Sequence, residues 1–226
     1  MCLWNRPERL ADTLRMLDAQ DYVDGIELYL WNNNRADHKY YLDVLRRFAA
    51  RGSLVSVTLA RSPHNVGSIG RFYWARAIAK IRPATPIIVI DDDENFTSAF
   101  VSQAQAAYRP EVLAGWWAWT IGEGYWDRTR AGEGDRVDHV GPGGSIMSAA
   151  IFLDDAFFTS IPDRFGLLDD IWLNYFAQRR GLSLSRLPVD IEFVLDETNQ
   201  HHTQGYVKPE FFNFLYGQNS RPFLKG

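Results

Sequence analysis

The stretch that most constrains this chain is Ile87-Ile88-Val89-Ile90 followed at once by Asp91-Asp92-Asp93-Glu94. An unbroken series of β-branched residues, with no polar alternation, fits a strand covered on both faces, as in a parallel sheet. In open α/β sheets ligands bind beyond the carboxyl ends of the strands, and the four acids stand at that end. Packing like charges costs free energy unless a cation or hydrogen-bond donors offset the repulsion. Carboxylate oxygens are hard donors suited to Mg²⁺ or Mn²⁺, which take one or two carboxylates and complete their shell with phosphate oxygens. A solvated acidic loop, or the acidic first turn of a helix, is the plainer reading of the same residues.

With 226 residues the chain can bury the core of one α/β domain, or at most of two small ones. Hydrophobic residues make up 46% and charged residues 23%, which argues against disorder. A net charge of -4 leaves no footprint for nucleic acid or an anionic membrane. Cys2 has no second cysteine to pair with, which fits a reducing compartment. No apolar run approaches the roughly 20 residues of a membrane span, and the first residues hold no signal-peptide core. The expectation is a soluble, cytoplasmic protein.

Along the chain, a short apolar piece ends at Trp4. Asn5 is a good N-cap, and Leu10, Leu14 and Leu17 predict a helix to about Gln20. Ile26 to Trp31 predicts a strand that stops at Asn32-Asn33-Asn34. Tyr41, Leu42, Leu45 and Phe48 mark a helix with Gly52 at C′. A strand over Leu54 to Leu59, a loop through Asn65 and Gly67, and a helix over Ile69 to Ile81 lead to the acidic strand. This β-α-β-α-β-α-β order implies a parallel, doubly wound sheet with right-handed crossovers. Beyond it come a helix near Ser98 to Tyr108, a Trp-rich strand over Val112 to Ile121, and a Gly-rich loop over Gly122 to Arg136. Gly141-Pro142-Gly143-Gly144-Ser145 predicts a turn, Ile146 to Phe152 a strand, Leu168 to Arg180 a helix, and Leu182 to Leu187 an edge strand. Past Pro188 the tail shows no clear period. His64 and His139 read as structural.

Trp4-Asn5-Arg6-Pro7, Asn65-Val66-Gly67 with Arg71, Asp91-Asp92-Asp93, Gly143-Gly144 and Asp169-Asp170 occur in an order that resembles a nucleotide-sugar-dependent glycosyltransferase of the GT-A fold, close to the family 2 type. The resemblance covers Leu3 to Gly181. It implies one Rossmann-like α/β domain, mostly parallel and doubly wound, with a smaller acceptor-side sheet. Residues 1–110 would form the nucleotide-binding half, 111–190 the acceptor-binding half, and 191–226 a tail.

The resemblance also implies roles. Trp4, Asn5, Arg6 and Asn32 would line the base pocket, with Asn65, Gly67 and Arg71 bracing base and ribose. Members often carry an acid where Asn32 stands, a departure that leaves the base open, with a UDP-sugar the first choice. Asp91 and Asp92, with Gly143 and Gly144, would contact the donor. Asp93, with Asp91, would hold Mn²⁺ or Mg²⁺, joined by His201 or His202. Asp170 would be the base that takes the proton of an acceptor hydroxyl, and Asp169 would orient that acceptor. Such a single displacement inverts the sugar carbon. Trp126 and Trp119 are the candidates for the acceptor side, where a flat ring can stack on a sugar. Two other functions fit the same residues. One is a carbohydrate-binding or scaffolding domain whose acids hold Ca²⁺. The other is a sugar nucleotidyltransferase, although Trp4-Asn5-Arg6-Pro7 lacks the Gly-rich phosphate loop usual in that class.

Overall fold

The computed structural model describes residues 1–194 and 205–217. It opens with three parallel strands, β1 (Cys2–Leu3), β2 (Ile26–Asn32) and β3 (Leu54–Arg61), hydrogen-bonded in that order. Helices α1 (Arg9–Asp18) and α2 (His38–Arg47) connect them. Leu10, Leu14 and Leu17 form the buried stripe of α1, at the expected spacing. Asn5 does not cap that helix. Arg6 and Pro7 carbonyls accept from Arg9 and Leu10 in a tight turn, so α1 starts behind Glu8, with Asn5 and Arg6 in the loop ahead of it. Gly52 is not the C′ residue of α2 either. That helix ends at an extended Phe48, and the Gly52 N–H donates to the Asp18 carboxylate at 2.8 Å.

Helix α3 (Gly70–Ile81) leads to β4 (Pro86–Val89), and the acids follow as expected. Next come β5 (Glu94–Phe96), α4 (Phe100–Ala107), β6 (Val112–Gly115), β7 (Ala118–Ile121), β8 (Arg128–Arg130), β9 (His139–Val140) and β10 (Ser145–Ser148). Then follow α5 (Ala156–Thr159), α6 (Asp169–Arg179), β11 (Ser183–Arg186), β12 (Ile191–Phe193) and α7 (Val207–Tyr216). The fold is α/β with a parallel first sheet. β4 lies in a second, mixed sheet of order β11-β6-β10-β4, in which β10 runs antiparallel to both neighbours. β7, β8 and β9 make a smaller antiparallel sheet, and β5 pairs with β12.

Four readings of the second half need correction. The strand expected over Ile146 to Phe152 stops at Ser148, where a 3₁₀ helix, Ala149–Leu153, takes over. Val112 to Ile121 is two strands in two sheets, because the chain changes sheet at Trp116-Trp117. The Gly-rich segment is no irregular loop: β8 lies in it, paired with β7 through Trp119↔Arg130. The tail also carries a helix. Phe211, Phe212, Leu215 and Tyr216 recur at helical spacing and are buried, with Phe211 stacked on Phe165 at 4.4 Å between centroids. Pro209 falls in the first turn of α7, where its missing N–H costs nothing. Among the described residues no helix is long and apolar enough to cross a membrane.

Candidate functional site

The acids after β4, the loop between β1 and α1, the loop before α3 and the first turn of α6 converge on one cleft of about 470 Å³. Trp4, Asn5 and Arg6 enter from the first loop, Asn65, Gly67 and Arg71 from the third connection. Asp91, Asp92, Asp93, Asp169 and Asp170 complete it, so residues that lie up to 166 positions apart in the chain share one wall-to-wall space.

Two guanidiniums organise the carboxylates. Arg6 reaches Asp92 Oδ1 at 2.6 Å and Asp93 Oδ2 at 3.4 Å. Arg71, whose side chain is 5% exposed, donates to Asp91 and, at 3.2 Å, to Asp169 Oδ2. The Ser68 hydroxyl also donates to Asp169. Arg71 thus ties the acids of β4 to those of α6. Burial pushes Asp92 up to about 6, Arg6 opposing and Asp91 and Asp93 adding to the rise. Burial and then the Asp91 charge push Glu94 well above the usual carboxylate range. Glu94 accepts the Asp91 N–H at 2.9 Å, which folds it back beneath the cluster.

Across the cleft, Asp170 Oδ2 pairs with Lys208 Nζ of α7 at 2.8 Å. Burial alone would raise Asp170, but Lys208, and after it His139, hold the carboxyl down to about 2. Burial would lower Lys208, yet Asp170 keeps its ammonium above the usual lysine range. His139, read above as structural, lines the cleft beside this pair. Burial pulls its ring from 6.5 to about 4.

That shift has a sign. Above pH 6.5 the ring is neutral in folded and unfolded chains alike; as pH falls towards 4, only the unfolded chain takes up the proton, and stability is lost. His139→Gln removes the loss. Urea unfolding should therefore show the variant gaining about 3 kcal/mol on the native chain between the two pKa values. A difference that does not change with pH would mean that the ring protonates freely in the fold.

Other expected residues stand elsewhere. Asn32 is fully buried, its Oδ1 accepting the Asn34 N–H at 2.7 Å, and outside the cleft lining. Asn33 takes the place beside the cleft, one residue on, because alternate residues of a strand point opposite ways. Its amide fastens the loop before α3, through Gly67 O at 2.9 Å and Val66 N at 3.2 Å. Gly143 and Gly144 lie outside the lining, Gly143 packed behind the acids and Gly144 against Trp116 and Ile191. A Cβ on Gly143 would sit 2.1 Å from Glu94 Oε1 and 2.7 Å from Asp91 Oδ2, and Gly144 has φ +65°. Trp119 and Trp126 are likewise outside, and Trp126 is 53% exposed. Both stack with Arg128, whose guanidinium carbon lies 4.6 Å and 4.8 Å from their ring centroids and which itself lines the cleft. Trp117, Tyr125 and Phe193 join Trp4 in the aromatic part of the lining. His201 and His202 lie outside the described residues.

Among the described residues no three His, Cys, Asp or Glu side chains form a ready metal cage. Asp91 and Asp93 do fit a cation that arrives with phosphates, since two hard carboxylates facing a shared cleft are what Mg²⁺ or Mn²⁺ takes from a protein in such sites.

No protein-family model matches the chain, and no curated protein matches it. Among solved structures, the UTP-bound UGPase from Acinetobacter baumannii superposes with a TM-score of 0.46 at 10% identity, covering 94% of this chain and 84% of that one. A likeness this loose adds nothing to what the strand order already shows.

Proposed function

We propose that the cleft binds a nucleotide sugar and transfers its sugar to an acceptor hydroxyl, in a GT-A-like glycosyltransferase. One observation carries this reading. The acids after β4 and the acids opening α6 face a single cleft, joined through Arg71. A diphosphate needs positive charge and donors; an acceptor hydroxyl needs a carboxylate a few ångströms away. The cleft offers both on separate sides.

In this reading Trp4, Asn5, Asn65 and Gly67 form the nucleotide wall, and Asn33 holds that wall in shape. Asp91 and Asp93 would hold Mn²⁺ or Mg²⁺ together with the donor's phosphates, and the cation would supply Lewis-acid stabilisation of the departing diphosphate. Arg6 and Arg71 fix the acids in place. Asp170 takes the proton from the acceptor oxygen as that oxygen bonds to the sugar carbon and the bond to the diphosphate breaks. The attack comes from the side opposite the leaving group, so the anomer inverts. Lys208 keeps Asp170 ionised but also weakens it as a base, so the acceptor has to compete with Lys208 for the carboxylate. The acceptor enters past Arg128, where Trp119 and Trp126 stack on the guanidinium.

A panel of nucleotide sugars incubated with the chain and Mn²⁺ tests the donor half of this reading without knowledge of the acceptor. Slow release of nucleoside diphosphate from one donor class is expected, UDP-sugars first. If no member of the panel is hydrolysed, and none protects the chain against unfolding, the cleft is not a nucleotide-sugar site.

A further inference from the structure

A second groove, of about 350 Å³, runs between β2 and β4. Leu17 of α1 and Phe100 and Val101 of α4 line it from one core cluster, and Ile78 comes from α3, which packs in the other. Its long walls are backbone edges. On the side of β2 away from β3, β1 reaches only Trp31 and Asn32. The Trp31 and Asn33 N–H groups donate to the Met1 and Leu3 carbonyls, each at 2.9 Å. Alternation along β2 then turns the Tyr29 N–H and the Glu27 backbone into the groove. β4 bonds to β10 through its other edge, with the Thr85 carbonyl accepting the Ala149 N–H at 3.0 Å. The same alternation leaves the backbone of Ile88 and Ile90 facing the groove.

The Met1 nitrogen sits where the ladder would place an amide. It donates to the Tyr29 carbonyl at 3.0 Å from a residue only 7% exposed. Burial pulls that amine from 8.0 to about 6, a cost that a peptide N–H in the same place would not carry.

We propose that this groove seats one further β-strand, joined to the Met1 nitrogen, parallel to β2 and bonded to β2 and β4 together. The free stretch of β2 calls for about four residues, roughly 13 Å of strand. Helices cover the groove, so its side chains are apolar and β-branched. Seated there, the strand turns the first and second sheets into one. This inference is independent of what the acidic cleft binds.

The test extends the full chain ahead of Met1 by four alternating Val and Ile residues, with a Gly-Ser extension of equal length as control. The apolar extension should raise the unfolding midpoint by about 5 °C or more. Amide exchange at Tyr29 and Ile88 should slow at least tenfold relative to the control. A two-residue Val-Ile extension, which adds little apolar surface should the longer one impair folding, reaches the Tyr29 N–H and should slow that amide. Unchanged exchange at Tyr29 in every extended chain would overturn the proposal. So would protection by the same residues offered as a free peptide but not by the extension, since the occupant would then belong to another chain.

Discussion

Arg71→Met should lower the free energy of unfolding by about 3–5 kcal/mol, measured by urea denaturation. The substitution keeps the length and most of the packing of the side chain but removes its charge. Asp169, 4% exposed, and Asp91 would then face each other across the cleft without a shared cation. Breaking a buried pair from one side is costly because the remaining charge stays desolvated. Burial already holds Asp169 above the usual carboxylate range, with Arg71 opposing that rise. The deficit of Arg71→Met should therefore shrink as pH is lowered and Asp169 takes up a proton. Arg71→Lys should recover only part of the loss, since one ammonium cannot reproduce a fork that donates to two carboxylates. A loss below about 1 kcal/mol would mean that the pairs are solvated like surface ones.

Asp170→Asn should reduce transfer to acceptor by about 10²–10⁴-fold while leaving nucleoside diphosphate binding within about twofold. The amide keeps the shape of the side chain and cannot take the proton. Donor binding survives because Asp170 lies across the cleft from the acids after β4, paired with Lys208 rather than with Arg6 or Arg71. Transfer that continues at the native rate in Asp170→Asn would remove this residue from the role of base.

The strand and acid cluster were legible because a strand covered on both faces leaves no alternation to misread, and its end is marked by four charges. Asp169 and Asp170 were legible as the acids that open a helix, while only the resemblance brought them to the cleft. The rest depends on choices made between distant segments. Whether Asn32 or Asn33 faces the cleft is a matter of one residue of register, invisible in a run of three asparagines. Trp116 and Trp117 read as strand residues, and nothing local says that the chain changes sheet between them. β4 ends up beside β10 instead of the first sheet through pairing partners that sequence order alone does not name. Lys208, which sets the charge state of Asp170, sits on a helix whose four buried residues span only 211 to 216, after a polar stretch that hides its start. That short period was the available signal, and Pro209, just ahead of it, argued the other way.

The central claim is that Asp91 and Asp93, with a divalent cation, grip the diphosphate of a nucleotide. Calorimetric titration of UDP, with Mn²⁺ and then after chelation, tests it most directly in the native chain and in Asp93→Ala. The native chain should bind at least about tenfold more tightly with Mn²⁺, a difference of about 1.4 kcal/mol, and Asp93→Ala should lose that gain. Equal affinity with and without the metal, unchanged by Asp93→Ala, would contradict the account.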